Sequence, residues 1–121
     1  MPFRPGQRPR IPKVPKAQQR SGRLVASINA LQQPGDFCVM PRDEAQGIFE
    51  IAFLLPAHAG PSGIIVRRVE NVVQAPQAAA HVWNWDGNTE RPTVNPEIHS
   101  TDGQREWRGW LIAGAFVTTP K

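Results

Sequence analysis

The side chains able to do chemistry in this chain are few and scattered. Three histidines, His58, His81 and His99, and a single cysteine, Cys38, are the soft metal-ligand types. Zinc needs about four convergent ligands, usually with a closely spaced pair in structural sites. No such pair occurs, so no metal is expected. A nucleophile would need Ser or Cys beside a base and an orienting acid, and Cys38 stands at no diagnostic spacing from any histidine. Glu97, His99 and Asp102 make a compact candidate for a general base oriented by a carboxylate, although surface loops carry such clusters routinely. A small metal-dependent enzyme built on His81 and His99 is the weakest reading. The phosphate-binding G-x-x-x-x-G-K-[ST], the dinucleotide G-x-G-x-x-G and the zinc-hydrolase H-E-x-x-H are all missing. The expectation is a protein with no catalytic residues, no cofactor and no turnover.

Aromatic and cationic residues are more concentrated. Trp83, Trp85, Trp107 and Trp110 lie close together in sequence. Tryptophans this dense in a small β-domain ordinarily wall the core, and Gly87, Pro92 and Pro96 complete the expected structural set. The other reading is a base-stacking face, with Arg91, Arg105 and Arg108 nearby. Arg4, Arg8, Arg10, Lys13, Lys16, Arg20 and Arg23 give the first 23 residues a charge of +7 with no acid, while residues 24–121 carry −3, for a net +4. Any electrostatic partner binding is therefore expected on the N-terminal segment rather than on the rest of the surface.

These residues must be positioned by short elements. A chain of 121 residues supports one modest core, and 13 Pro with 10 Gly make long helices scarce. One cysteine excludes an internal disulfide. No apolar run approaches the roughly 18 residues of a membrane span, and the N-terminus lacks the apolar stretch of a secretory signal, so neither is expected. Pro2, Pro5, Pro9, Pro12 and Pro15 favour a polyproline II arm over residues 1–23. With little apolar surface to offset its entropy, that arm is expected to order only against a partner.

The remainder, 24–121, reads as a compact β-domain, a small antiparallel sandwich or barrel of five to eight strands. Leu24 to Leu31 is expected as a strand, followed by a type II turn at Pro34-Gly35 and an extended Phe37–Met40 closed by Pro41. Gly47–Leu55 and Ile64–Val69 read as a hairpin with a long loop. Asn71 to Ala80 has no clear period and reads as a connection or a short helix. His81–Trp85 alternates, with His81, Trp83 and Trp85 on one face and Val82 with Asn84 on the other. Pro92–Pro96 is expected to be extended, and Trp107–Val117 is expected to turn at Ala113-Gly114.

The stretch W-N-W-D-G-N-T-E-R-P-T-V-N-P-E-I-H at 83–99, followed by W-R-G-W-L-I-A-G at 107–114, resembles a family of small proteins of unknown function common in tailed-phage genomes. The family pattern is W-x-W-D-G-N, P-T-x-x-P-S-I and W-H-G-x-L-x-x-G; Glu97 stands where Ser is usual and Arg108 where His is usual. Leu55-Pro56 and Gly63–Arg67 match the family's preceding hairpin more loosely, and the arm is outside the match. Many relatives carry further cysteines and histidines suggestive of a metal site, and those positions are largely lost here. The resemblance implies a phage context and a compact β-fold, with no established activity.

Joined to the arm, this gives the expected function: a virion structural or accessory protein, such as a capsid decoration or minor component. It would be found in the virion, and in the host cytoplasm during assembly. Its partners would be a major capsid protein, another virion protein or a second copy of itself, with no membrane involved. The alternative is a phage-encoded regulator or host-defence inhibitor that grips nucleic acid through the arm.

Overall fold

The computed structural model describes residues 19–56, 58–77, 79–103 and 105–119. Of the seven arm cations, Arg4, Arg8, Arg10, Lys13 and Lys16 lie outside the described residues. Among the described residues ten strands form two sheets: β1 (Gln19–Ser21), β2 (Arg23–Leu24), β3 (Asp36–Asp43), β4 (Ile48–Phe53), β5 (Ser62–Arg68), β6 (Val82–Trp85), β7 (Val94–Asn95), β8 (Ile98–Asp102), β9 (Arg105–Ile112) and β10 (Ala115–Thr118). The four-stranded sheet runs β1-β10-β9-β8 and the six-stranded sheet β2-β3-β4-β5-β6-β7. The protein is mostly β, as the turn-rich sequence predicts, with more strands than the expected eight because several span only two or three residues. Two pairs, β2 with β3 and β5 with β6, are parallel, so the larger sheet is mixed rather than purely antiparallel. Among the described residues no helix is long and apolar enough to cross a membrane.

Local chemistry explains the hairpins. β4 and β5 pair antiparallel from Ile48↔Arg67 to Phe53↔Ser62 across the long loop expected between them. Ala113 and Gly114 both take positive φ, 47° and 82°, the geometry of a two-residue type I′ turn whose twist matches its flanking strands. Gly35 supplies the positive φ of the Pro34-Gly35 turn, closed by Asp36 N–H donating to Gln33 O at 3.0 Å.

Three local expectations are corrected. Residues 24–31 are not one strand: β2 ends at Leu24, the last bond to β3 is Val25 N–H to Phe37 O, and Ile28–Ala30 is a 3₁₀ turn. Pro41 does not end β3, which continues to Asp43 through a bulge between Pro41 and Asp43. β2 covers only Asp36 and Phe37, so the missing Pro41 N–H costs no ladder bond on that outer side. Of the expected strand His81–Trp85, β6 holds only Val82–Trp85; His81 precedes it with φ of 65°.

The core lies where the sheets face each other. Phe116 of β10 meets Trp107 edge-on at 6.2 Å and, across the sandwich, Phe53 at 5.4 Å and Phe37 at 6.5 Å. Trp85, Ile51, Val66 and Leu111 are fully buried around this centre. Burying a side chain of this size contributes about 1.5–3 kcal/mol, so these contacts dominate stability.

Gly22 is the point at which the chain leaves one sheet for the other. Its N–H donates to Gly114 O at 2.7 Å, and a Cβ there would sit 2.3 Å from that same oxygen. Immediately afterwards Arg23 donates through Nε and Nη2 to the two oxygens of buried Asp36, at 2.9 and 2.7 Å. Residues 19–23, placed at the end of the arm in the sequence reading, thus supply β1 in one sheet and the first residue of β2 in the other.

Candidate functional site

The motif residues assemble first as scaffold. Asp86 Oδ1 accepts from the N–H groups of Asn88 at 3.0 Å and Thr93 at 3.3 Å, and Gly87 between them has φ of 83°. Asn88 Oδ1 accepts from Glu90 N–H at 3.0 Å and Arg91 N–H at 2.8 Å. Thr93 Oγ1 then accepts from Ala113 N–H at 2.8 Å, and Gly114 N–H donates to Pro92 O at 2.9 Å. The W-D-G-N turn, the Pro-Thr segment and the 113–114 turn are therefore one interlocked unit. Their side chains satisfy backbone groups that would otherwise be orphaned.

Of the tryptophans, Trp85 and Trp107 belong to the core, with indole N–H groups donating to Asn88 O and Thr118 Oγ1, each at 3.1 Å. Rings buried in this way cannot stack on a base. Trp83 and Trp110 are half-buried. Pro92 is fully buried and Pro96 half-buried, following a cis Asn95–Pro96 bond. Arg91 is drawn to Ala113 O at 3.4 Å and Arg108 lies 3.6 Å from Glu106.

Behind this scaffold a cleft of about 320 Å³ opens where β5 and β6 of one sheet approach β8 of the other. Trp83, His81, His99, Ser62, Ser100 and Ile65 line it. Trp83 is fixed by its indole N–H, which donates to Glu97 O at 3.2 Å. The Ser62 and Ser100 hydroxyls meet at 2.8 Å and tie the two sheets together at the cleft.

The structure brings His81 and His99 to one cleft, which no local spacing announced. It does not assemble the predicted base cluster. Glu97 Oε2 accepts from Thr119 Oγ1 at 2.5 Å, and Asp102 accepts from Ala59 N–H. The carboxylate at His99 is instead Glu106, 3.2 Å from Nε2. Glu106 pairs with Thr101 while His99 pairs with Arg108, so the two are diagonal neighbours on adjacent strands. Both side chains are about half-exposed, at 44% and 56%, so the contact contributes little in water. In the cleft the two serine hydroxyls face each other and His99 Nε2 faces Glu106.

No known protein family, curated protein or solved structure matches this chain. What the cleft can do follows from its own residues. Two histidines fall short of a four-ligand zinc site, and among the described residues no group of three or more His, Cys, Asp or Glu is placed to hold a metal. Cys38 lies in the interior of β3, where burial pushes the thiol pKa up and away from a reactive thiolate. His58, the third histidine, is outside the cleft and holds Nδ1 3.3 Å from Pro56 O.

The predicted partner-binding cations divide. Arg20 is exposed on β1, whereas Arg23 is held by Asp36 and belongs to the fold. Asn84, on the outer face of β6, is buried because its side-chain N–H groups donate to Ala75 O at 2.8 Å and Pro76 O at 3.3 Å. That lays the 71–77 connection over the sheet, a burial that alternation alone does not reveal.

Proposed function

We propose that this chain is a non-catalytic binding component of a tailed-phage particle, a decoration or minor structural protein that engages neighbouring subunits through residues 1–18. The supporting observation is where that segment is attached. It enters at β1, an outer strand whose three residues are all exposed. Five cations and no acids precede it. A cationic, proline-rich segment leaving from a sheet edge is suited to lie along a second surface, because proline pre-extends it and lowers the entropy lost on docking. The phage setting rests on the resemblance of residues 83–114 to the small tailed-phage proteins.

The test is removal of residues 1–18 alone. The truncated protein is expected to fold and to be missing from purified particles that contain the full chain; equal occupancy of the two forms would overturn the reading. Steeply salt-dependent binding to DNA or RNA, lost when Arg8, Arg10, Lys13 and Lys16 are neutralised, would instead establish the nucleic-acid alternative.

A further inference from the structure

We infer that β8 is a docking edge for an extended peptide segment of another protein, which adds to the sheet antiparallel to β8 and places one apolar side chain in the cleft walled by Trp83. No residue of the 1–18 segment takes part, so the site goes beyond the reading given for that segment.

The backbone of β8 has unused bonding capacity on one side. Thr119 N–H donates to Arg108 O at 2.8 Å, so the main-chain groups of Arg108 face β10. Arg108 pairs with His99, and where one member of an antiparallel pair faces away, the other does too. The N–H and C=O of His99 therefore point outward from the sheet. Alternation along the strand does the same for Thr101, opposite Glu106. Both residues are exposed, and among the described residues no group bonds to the main chain of either.

Such an edge is ordinarily blunted by shortness, proline, lysine or a bulge. The other outer strands follow that rule. β1, β2 and β7 have three, two and two residues, and the part of β3 that β2 leaves uncovered carries Pro41 and a bulge. β8 has five residues in continuous register with β9 and contains no proline, lysine or bulge.

The cleft sets which side chain of an added strand is read. Ser100 shares the inner face with its partner Trp107, a core residue, and its hydroxyl meets Ser62 of the other sheet at 2.8 Å. A residue paired opposite Ser100 puts its side chain on that same face. It thereby enters the cleft of about 320 Å³ between the sheets, where Trp83 and Ile65 are only half-buried. Trp83 is fixed there by its indole bond to Glu97 O at 3.2 Å. The volume and the indole wall suit one aromatic or branched apolar side chain. Its two neighbours, opposite Thr101 and His99, complete four main-chain bonds and turn their own side chains to the outer face. The site is thus selective at the centre of the segment and tolerant on either side. A peptide is the occupant because N–H and C=O groups repeating at strand spacing are the complement of another extended backbone; a small ligand in the cleft would leave them unused.

The probe is the capped pentapeptide acetyl-Lys-Thr-Phe-Thr-Lys-amide, titrated into isotope-labelled full-length protein and followed by NMR. The main-chain amides of His99 and Thr101 and the indole N–H of Trp83 are expected to shift together, with a Kd of about 0.1–1 mM. N-methylation of either threonine of the peptide removes a bond to β8 and is expected to weaken binding about tenfold. N-methylation of the phenylalanine, whose N–H points away from β8, is expected to change it less than about twofold, and replacing that phenylalanine by glycine to abolish it. In the protein, Thr101→Pro deletes an outward N–H that serves no ladder bond, so the thermal midpoint is expected to hold while binding falls about tenfold. Amides of His99 and Thr101 that stay unmoved at about 5 mM peptide would overturn the inference. So would a larger loss from methylating the phenylalanine than the threonines, or a Trp83 shift indifferent to all three methylations, which would make the cleft a pocket for an apolar side chain alone.

Discussion

Asp36 has no exposed surface, yet its carboxylate receives Arg23 through two bonds and the N–H groups of Gln32 and Gln33 at 2.9 and 3.2 Å. The Arg23 guanidinium, helped by the two backbone donors, holds its pKa well below the usual carboxylate range despite burial. A folded-state pKa below the unfolded value near 3.9 means the stabilisation is complete above that pH and is lost as pH falls through the depressed value. Thermal midpoints between pH 7 and pH 2 should therefore drop, and Asp36→Asn should start about 2 kcal/mol less stable with a flatter pH dependence. Cys38, buried in β3, should react with a disulfide reagent only at the rate of unfolding, and immediately in denaturant. The candidate site was legible only in part at this scale. His99 invited a carboxylate partner, and the true one, Glu106, is set by strand register rather than by nearness in sequence.

At the scale of elements, signals confined to a few residues were read correctly. The 113–114 turn, the Pro34-Gly35 turn and the β4–β5 hairpin each depend on local backbone chemistry. The parallel pairings were not legible, because β2–β3 and β5–β6 join strands separated by long connections. Leu24 to Leu31 misled because its apolar residues do not all face a core: Leu24 and Ile28 are more than 40% exposed. β1 carried no apolar signal at all, since Gln19-Arg20-Ser21 is held by backbone pairing to Val117, Phe116 and Ala115. Gly22→Ala would force a methyl against Gly114 O and the Phe37 ring. A loss of about 1–3 kcal/mol is expected from this overpacking, measurable by urea denaturation with an unchanged m-value. Removing residues 1–18 should leave the thermal midpoint nearly unchanged, whereas removing residues 1–23 also takes β1 and Arg23 and should lower it clearly.

As a whole molecule, the protein joins two sheets through a single aromatic centre at Phe116 and fastens one end with the interlocked turns at 86–93 and 113–114. Thr93→Val, which deletes the hydroxyl that accepts from Ala113 N–H, tests that fastening; a loss of about 1 kcal/mol is expected with the fold retained by circular dichroism. The passage of the chain through Gly22 has a mechanical consequence. A pull on the N-terminal segment along the strand direction is met at once by the ladder between β1 and β10, and next by the β2 pairing and the Arg23–Asp36 clamp in the other sheet. Bonds of the β1 ladder are loaded side by side in shear and must break together before the second sheet feels the pull, so β1 shields β2 and the Arg23–Asp36 clamp from tension arriving through the arm.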